Sequence, residues 1–124
     1  TSYVLDVPSE RVAKLVREGL LGATTDFAAA AELDTLNVCL PTPLRKTREP
    51  DLSFIVQAME SLLPHMRKGQ LLILESTTYP GTTDEILLPM LSQAGLQPGV
   101  DVEVAFSPER TDPGNKAFST FRIP

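Results

Sequence analysis

The sequence predicts an α/β fold built on a doubly wound parallel sheet. Three apolar runs carry that expectation: Leu36 to Leu40, Leu71 to Leu74, and Val102 to Phe106. They recur at roughly 30-residue intervals, the length of a βαβ unit, and each gap holds a helical pattern. The first two runs are almost uninterrupted, as strands covered on both faces are. The third is broken by Glu103, which suits an edge strand.

The elements follow in order. Between Pro8 and Leu21, Val12, Leu15 and Val16 form an apolar stripe that Gly19 and Gly22 end, predicting a short helix. Ala23-Thr24-Thr25 is expected to be a short strand. Asp26 then caps a helix over Phe27 to Glu32, where four alanines, Ala28 to Ala31, favour helix. After the first strand, Leu52, Ile55, Val56, Met59, Leu62 and Leu63 follow i, i+3, i+4, i+7 spacing. Pro50-Asp51 opens that helix, expected over Leu52 to Met66, and Lys68-Gly69 closes it. The second crossover helix is expected over Thr83 to Gln93, with Gly95 as its stop and Thr82-Thr83-Asp84-Glu85 spaced as a capping box. The sequence holds no internal repeat and no interdomain linker, so residues 1–124 read as one domain.

Composition narrows the function. A net charge of −5 argues against a nucleic-acid surface, which is normally basic. No apolar run approaches membrane-span length. The single cysteine, Cys39, cannot form an internal disulfide, which fits a reducing, cytoplasmic setting. Placed inside an apolar run, Cys39 is expected to be a small buried filler. His65 has no histidine or cysteine cluster around it, so no metal site is expected.

The chemistry concentrates where the strands end. Glu75-Ser76-Thr77-Thr78-Tyr79-Pro80-Gly81-Thr82-Thr83 sets uncharged hydroxyls between a strand and a helix, the place where open α/β sheets bind ligands. A helix cap explains Thr82 and Glu85 but not Ser76, Thr77 and Thr78. The first strand runs into Pro41-Thr42-Pro43, a stiff loop presenting one hydroxyl, or simply a rigid turn. Arg45, Lys46 and Arg48 follow, either as a phosphate contact or as a solvated loop. The third strand leads to Ser107-Pro108-Glu109-Arg110-Thr111-Asp112, where a carboxylate could take a proton. A surface turn with an Arg–Asp pair is the alternative. Three polar loops on three successive parallel strands meet at one sheet edge, which favours a shared site facing Thr42, Thr77 and Glu109. No Gly-x-Gly-x-x-Gly occurs anywhere, so the turn that cradles a dinucleotide pyrophosphate is absent from these residues.

Taken in order, Val38-Cys39-Leu40-Pro41-Thr42-Pro43, Lys46 to Ser53, Glu75 to Thr83 and Phe106 to Lys116 resemble the N-terminal domain of the UDP-glucose/GDP-mannose dehydrogenase family. The likeness spans essentially the whole chain and is strongest to the UDP-N-acetylglucosamine 6-dehydrogenase branch, which the opening Asp6-Val7-Pro8-Ser9 also matches. It implies a Rossmann fold that binds NAD, in an enzyme oxidising the C6 hydroxyl of a UDP-sugar to a carboxylate through a cysteine thioester. It implies that Pro41, Thr42 and Thr77 lie against the cofactor. Thr77 would also help organise the catalytic water, Glu109 would act with that water in acid–base steps, and Glu109 and Arg110 would face the substrate. A second glutamate, four residues after the first in the glucose-oxidising enzymes, is replaced here by Pro113, which makes UDP-glucose a poorer substrate candidate.

The resemblance also implies a partial Rossmann-like sheet lacking its first two strands, which would lie between Ala23–Thr25 and Leu36–Leu40. The chain starts at Thr1 and stops at Pro124, ends that read as cut, so a fragment of a larger enzyme is expected. Such a fragment would carry no catalytic cysteine, show no activity, and self-associate through the bared Leu36–Leu40 edge. Two other readings stay open: a non-catalytic α/β binding or assembly module, and a Rossmann dehydrogenase of a hydroxy acid.

Overall fold

The computed structural model describes Ser2, residues 7–44 and residues 50–108. Its centre is a three-stranded parallel sheet in the order β1-β2-β3, formed by Thr35–Val38 (β1), Gln70–Leu74 (β2) and Val102–Phe106 (β3). The three apolar runs are therefore adjacent parallel strands in chain order. Leu36 sits opposite Leu72, and Leu72 opposite Val104. Registered partners in a parallel sheet share a face. One face thus presents Leu36, Val38, Leu72, Leu74 and Val102, all buried.

That face is covered by both crossovers. Ile55 and Met59 come from α2 (Ser53–Leu62), and Leu87 and Leu91 from the second crossover, and all four are fully buried in the same core. The opposite face carries Thr35, Asn37 and Glu103, which are exposed, with Leu71, Ile73 and Ala105 half-buried.

Prolines reshape both crossovers. Pro64 offers no N–H to continue the ladder, and α2 tightens at that point into a 3₁₀ turn over Leu63–His65. The second crossover opens as a π-turn over Thr83–Leu87, closed by the Leu88 N–H donating to the Thr83 carbonyl, before becoming α3 (Leu88–Gln93). In a regular helix the Pro89 ring would press on the Glu85 carbonyl, and the wider turn relieves that clash. The helix stops as expected at Gly95, whose φ of +82° suits glycine. The amphipathic α1 (Ser9–Arg17) buries none of its residues.

Two sequence expectations fail here. Ala23–Thr25 is not a strand: these residues are exposed, and the Thr24 hydroxyl accepts from the Asp26 N–H at 3.0 Å. A local side-chain turn has replaced the pairing, as threonine readily allows. The expected capping box is not formed either. Thr82 already has helical dihedrals, and its buried hydroxyl donates to the Tyr79 carbonyl at 2.8 Å. Asp26 does cap the next segment, accepting from the Ala28 N–H at 2.9 Å, but Phe27–Glu32 is a 3₁₀ helix.

A buried polar clamp fixes that 3₁₀ helix to the sheet. Gln70, only 1% exposed, donates from Nε2 to the Ala30 and Leu33 carbonyls, both at 2.7 Å. Its Oε1 accepts from the Arg67 N–H at 2.7 Å. The Arg67 guanidinium adds bonds to the Ala31 carbonyl at 2.9 Å and to Asp34 Oδ1 at 2.9 Å. At the same end of the sheet, Lys68 pairs with Asp101 at 2.9 Å. That hydrogen bond, together with one from the Gln97 N–H, holds the Asp101 carboxyl below its ordinary value of 3.8.

Candidate cofactor cleft

The carboxyl ends of β1 and β2 are laced together beyond the regular ladder. The Glu75 N–H donates to the Val38 carbonyl at 2.9 Å. The Leu40 N–H then donates to Ser76 Oγ at 2.8 Å, and Thr42 Oγ1 donates to the Thr77 carbonyl at 2.6 Å. Side chains take over the ladder because Pro41 and Pro43 have no N–H to give. The same prolines end β1 earlier than expected, at Val38. The loop leaving Pro43 is drawn back by the Asp51 N–H, which donates to the Pro43 carbonyl at 2.8 Å, and by a bridge between Leu44 and Pro50.

Between these two rims lies an open cleft of about 330 Å³, lined by Cys39, Leu40, Pro41, Thr42, Glu75, Ser76 and Thr77. Pro41, Thr42 and Thr77, expected together from the sequence, do share it. Glu109 and Arg110 lie outside the described residues. The run of hydroxyls divides by burial. Ser76 and Thr82 are buried and serve the frame, whereas Thr77 is exposed and Thr78 half-buried.

Cys39 departs from its expected role. It lies just past the end of β1 and is exposed, on the sheet face opposite the core. Its Sγ donates to Glu75 Oε2 at 3.4 Å, and Asn37 Nδ2 donates to the same oxygen at 2.5 Å. Alternation along the extended chain explains the grouping: Asn37 in β1 and Cys39 just beyond it are two residues apart, so they share a side. Sequence reasoning passed over Glu75 as a lining group and Asn37 as its hydrogen-bond partner. The available signal was a single amide inside the otherwise apolar run from Leu36 to Leu40.

A parallel α/β sheet with a polar cleft at its carboxyl edge is the arrangement of a nucleotide-cofactor domain. The chain belongs to the UDP-glucose/GDP-mannose dehydrogenase family, and residues 5–124 match the model of its NAD binding domain. The UDP-N-acetyl-D-glucosamine 6-dehydrogenase of Pseudomonas aeruginosa is 36% identical over 105 residues, covering 84% of this chain and 25% of that protein. The UDP-N-acetyl-D-mannosamine dehydrogenase of Yersinia pestis is 34% identical over 122 residues, covering 90% and 28%. Among solved structures, the UDP-D-ManNAc dehydrogenase of Pyrococcus horikoshii superposes with a TM-score of 0.80 at 32% identity, over 91% of this chain and 28% of that one. The GDP-mannose dehydrogenase of Pseudomonas aeruginosa gives 0.77 at 27% identity, over 83% and 25%. The chain therefore spans about a quarter of the length of the relatives it matches. The fold is Rossmann-like, and NAD is the cofactor that the matched domain indicates.

The described residues fit the uncharged polar portion of such a cofactor. Thr42 and Thr77 offer hydroxyls at the cleft. No arginine or lysine lines the cleft among the described residues, and no glycine fingerprint occurs in the sequence to receive the pyrophosphate.

Proposed function

We propose that this chain is part of an NAD-dependent UDP-sugar 6-dehydrogenase, supplying one wall of its cofactor site, with UDP-N-acetylglucosamine as substrate. The observation that carries the reading is the shared cleft of Pro41, Thr42 and Thr77 at the carboxyl edge of β1 and β2, in a chain of this family. NAD, when bound, would supply the hydride acceptor for oxidation at C6. In this reading Thr42, held by its bond to the Thr77 carbonyl, fixes the separation of the two rims against the cofactor. The Thr77 hydroxyl stays free of the frame and positions cofactor and water. Glu109 moves the proton and Arg110 meets the substrate; both follow β3 in the sequence.

The roles are divided between this segment and the rest of a larger enzyme, whose cysteine forms the thioester. Cys39 is not assigned that role: its thiol donates to the Glu75 carboxylate at 3.4 Å, as part of the frame. Alone, the chain is expected to be inactive and to bind NAD weakly. Neutral hydrogen bonds contribute roughly 0.5–1.5 kcal/mol each, against an association cost of at least about 4 kcal/mol. The β1 edge carries no charged residue, which favours pairing with another copy.

The test is NADH formation by the full-length enzyme carrying this segment, offered UDP-N-acetylglucosamine, UDP-N-acetylmannosamine and UDP-glucose in turn. The reading predicts turnover with the first above the other two. NAD reduction with none of them removes it, and preference for the mannosamine sugar corrects the substrate alone.

A further inference from the structure

The cleft's one charged lining residue among those described, Glu75, is left unused by the roles above. It is half-buried, and its Oε2 is held by two neutral donors, Asn37 Nδ2 and Cys39 Sγ. Neither cancels its charge. No described lysine or arginine pairs with it; the ion pairs among the described residues lie elsewhere, at Lys14–Glu18, Arg67–Asp34 and Lys68–Asp101. Asp84 and Glu85 open the helix that follows, so acidic side chains occupy the turn whose N–H groups would otherwise draw a phosphate. These surroundings repel a pyrophosphate and suit a neutral or positively charged group.

In a nicotinamide dinucleotide, the oxidised ring is the one cationic group near neutral pH, and the reduced ring is neutral. We infer that Glu75 makes this cleft discriminate between the two states, binding oxidised NAD more tightly than NADH. The inference rests on the NAD reading above and adds a specificity determinant to it. Asn37 acts as a positioning residue, fixing the carboxylate by its 2.5 Å hydrogen bond. Since the two cofactor forms otherwise carry the same charge, their ratio of affinities isolates the interaction with the ring. For charges a few ångströms apart in a partly solvated cleft, the ratio is expected to be roughly three- to tenfold. Salt should shrink it. An enzyme that must discard NADH after each oxidation gains from this preference.

The test is a titration of the full-length enzyme carrying this segment, selectively labelled for NMR, with NAD and NADH separately, to millimolar ligand, at low and high salt. Three proteins are compared: the wild type, Glu75→Gln and Asn37→Ala. Glu75→Gln keeps the side-chain length and an acceptor for Asn37 while removing the charge. The expected result is shifts at Cys39–Thr42 and Glu75–Thr77, with the oxidised form tighter by that factor in the wild type. The preference should vanish in Glu75→Gln, weaken in Asn37→Ala and fall at high salt. Equal affinities in the wild type, or a preference that survives Glu75→Gln or ignores salt, overturn the inference and leave the dinucleotide reading standing. No shift at these residues with either form overturns both.

Discussion

Replacing Gln70 with leucine should be among the most damaging single changes available outside the apolar core. The side chain is 1% exposed and makes three hydrogen bonds, each 2.7 Å long, to the Ala30 and Leu33 carbonyls and from the Arg67 N–H. Leucine nearly conserves volume, so cavity formation contributes little, and the loss reads directly on the stranded polar groups. The Ala30 carbonyl keeps the Leu33 N–H at 3.3 Å and the Leu33 carbonyl keeps Arg67 Nη2 at 3.2 Å, so each loses one of two donors at a cost of about 0.5–1 kcal/mol. The partly buried Arg67 N–H loses its acceptor and costs roughly 1–2 kcal/mol. The sum, roughly 2–4 kcal/mol, is a large share of the roughly 5–15 kcal/mol by which domains are stable. Urea unfolding followed by circular dichroism should show a lower midpoint with an unchanged slope. Gln57→Leu, on the exposed side of α2, is the control and should shift stability by under about 0.5 kcal/mol. A Gln70→Leu protein as stable as that control would refute the claim that this clamp holds the 3₁₀ helix to the sheet.

Two further outcomes test other parts of the frame. Asp101 has a lowered carboxyl pKa through Lys68 and the Gln97 N–H, so its contribution is present above the ordinary value of 3.8 and is lost as pH falls through the lower folded value. Thermal melts of wild type and Asp101→Asn should therefore differ near neutral pH and converge below pH 3.8. Gly81→Ala places a side chain at φ +97°, with its Cβ 2.8 Å from Glu85 Oε1. The exposed Glu85 side chain can swing away, so backbone strain decides the cost, about 1–2 kcal/mol, measurable by the same urea titration.

The sheet was legible because its signals are dense: three apolar runs at βαβ spacing fix strand order and direction with little help from tertiary context. Helix interiors were less so. Pro64 and Pro89 lie within correct apolar patterns, and whether proline breaks a helix or widens it depends on the packing around it. The Ala23–Thr25 expectation failed because β-propensity cannot show that a partner strand is within reach. At the cleft, Pro41, Thr42 and Thr77 were readable from their place just past strand ends. Asn37 and Glu75 were not, since their grouping depends on the register of β1 against β2. Cys39 was misread for the same reason: the strand ends at Val38, two residues before Leu40, and the side chain falls on the uncovered face.

The measurement that bears most directly on the proposed enzyme is turnover of the Thr77→Ala full-length protein with NAD and UDP-N-acetylglucosamine. Thr77 contributes its backbone carbonyl, not its exposed side chain, to the frame, through the bond from Thr42. The account predicts that kcat falls by roughly 10²–10⁴, as loss of a positioned proton or water partner does, while the urea midpoint stays within error of wild type. Unchanged turnover in a folded Thr77→Ala enzyme would contradict it.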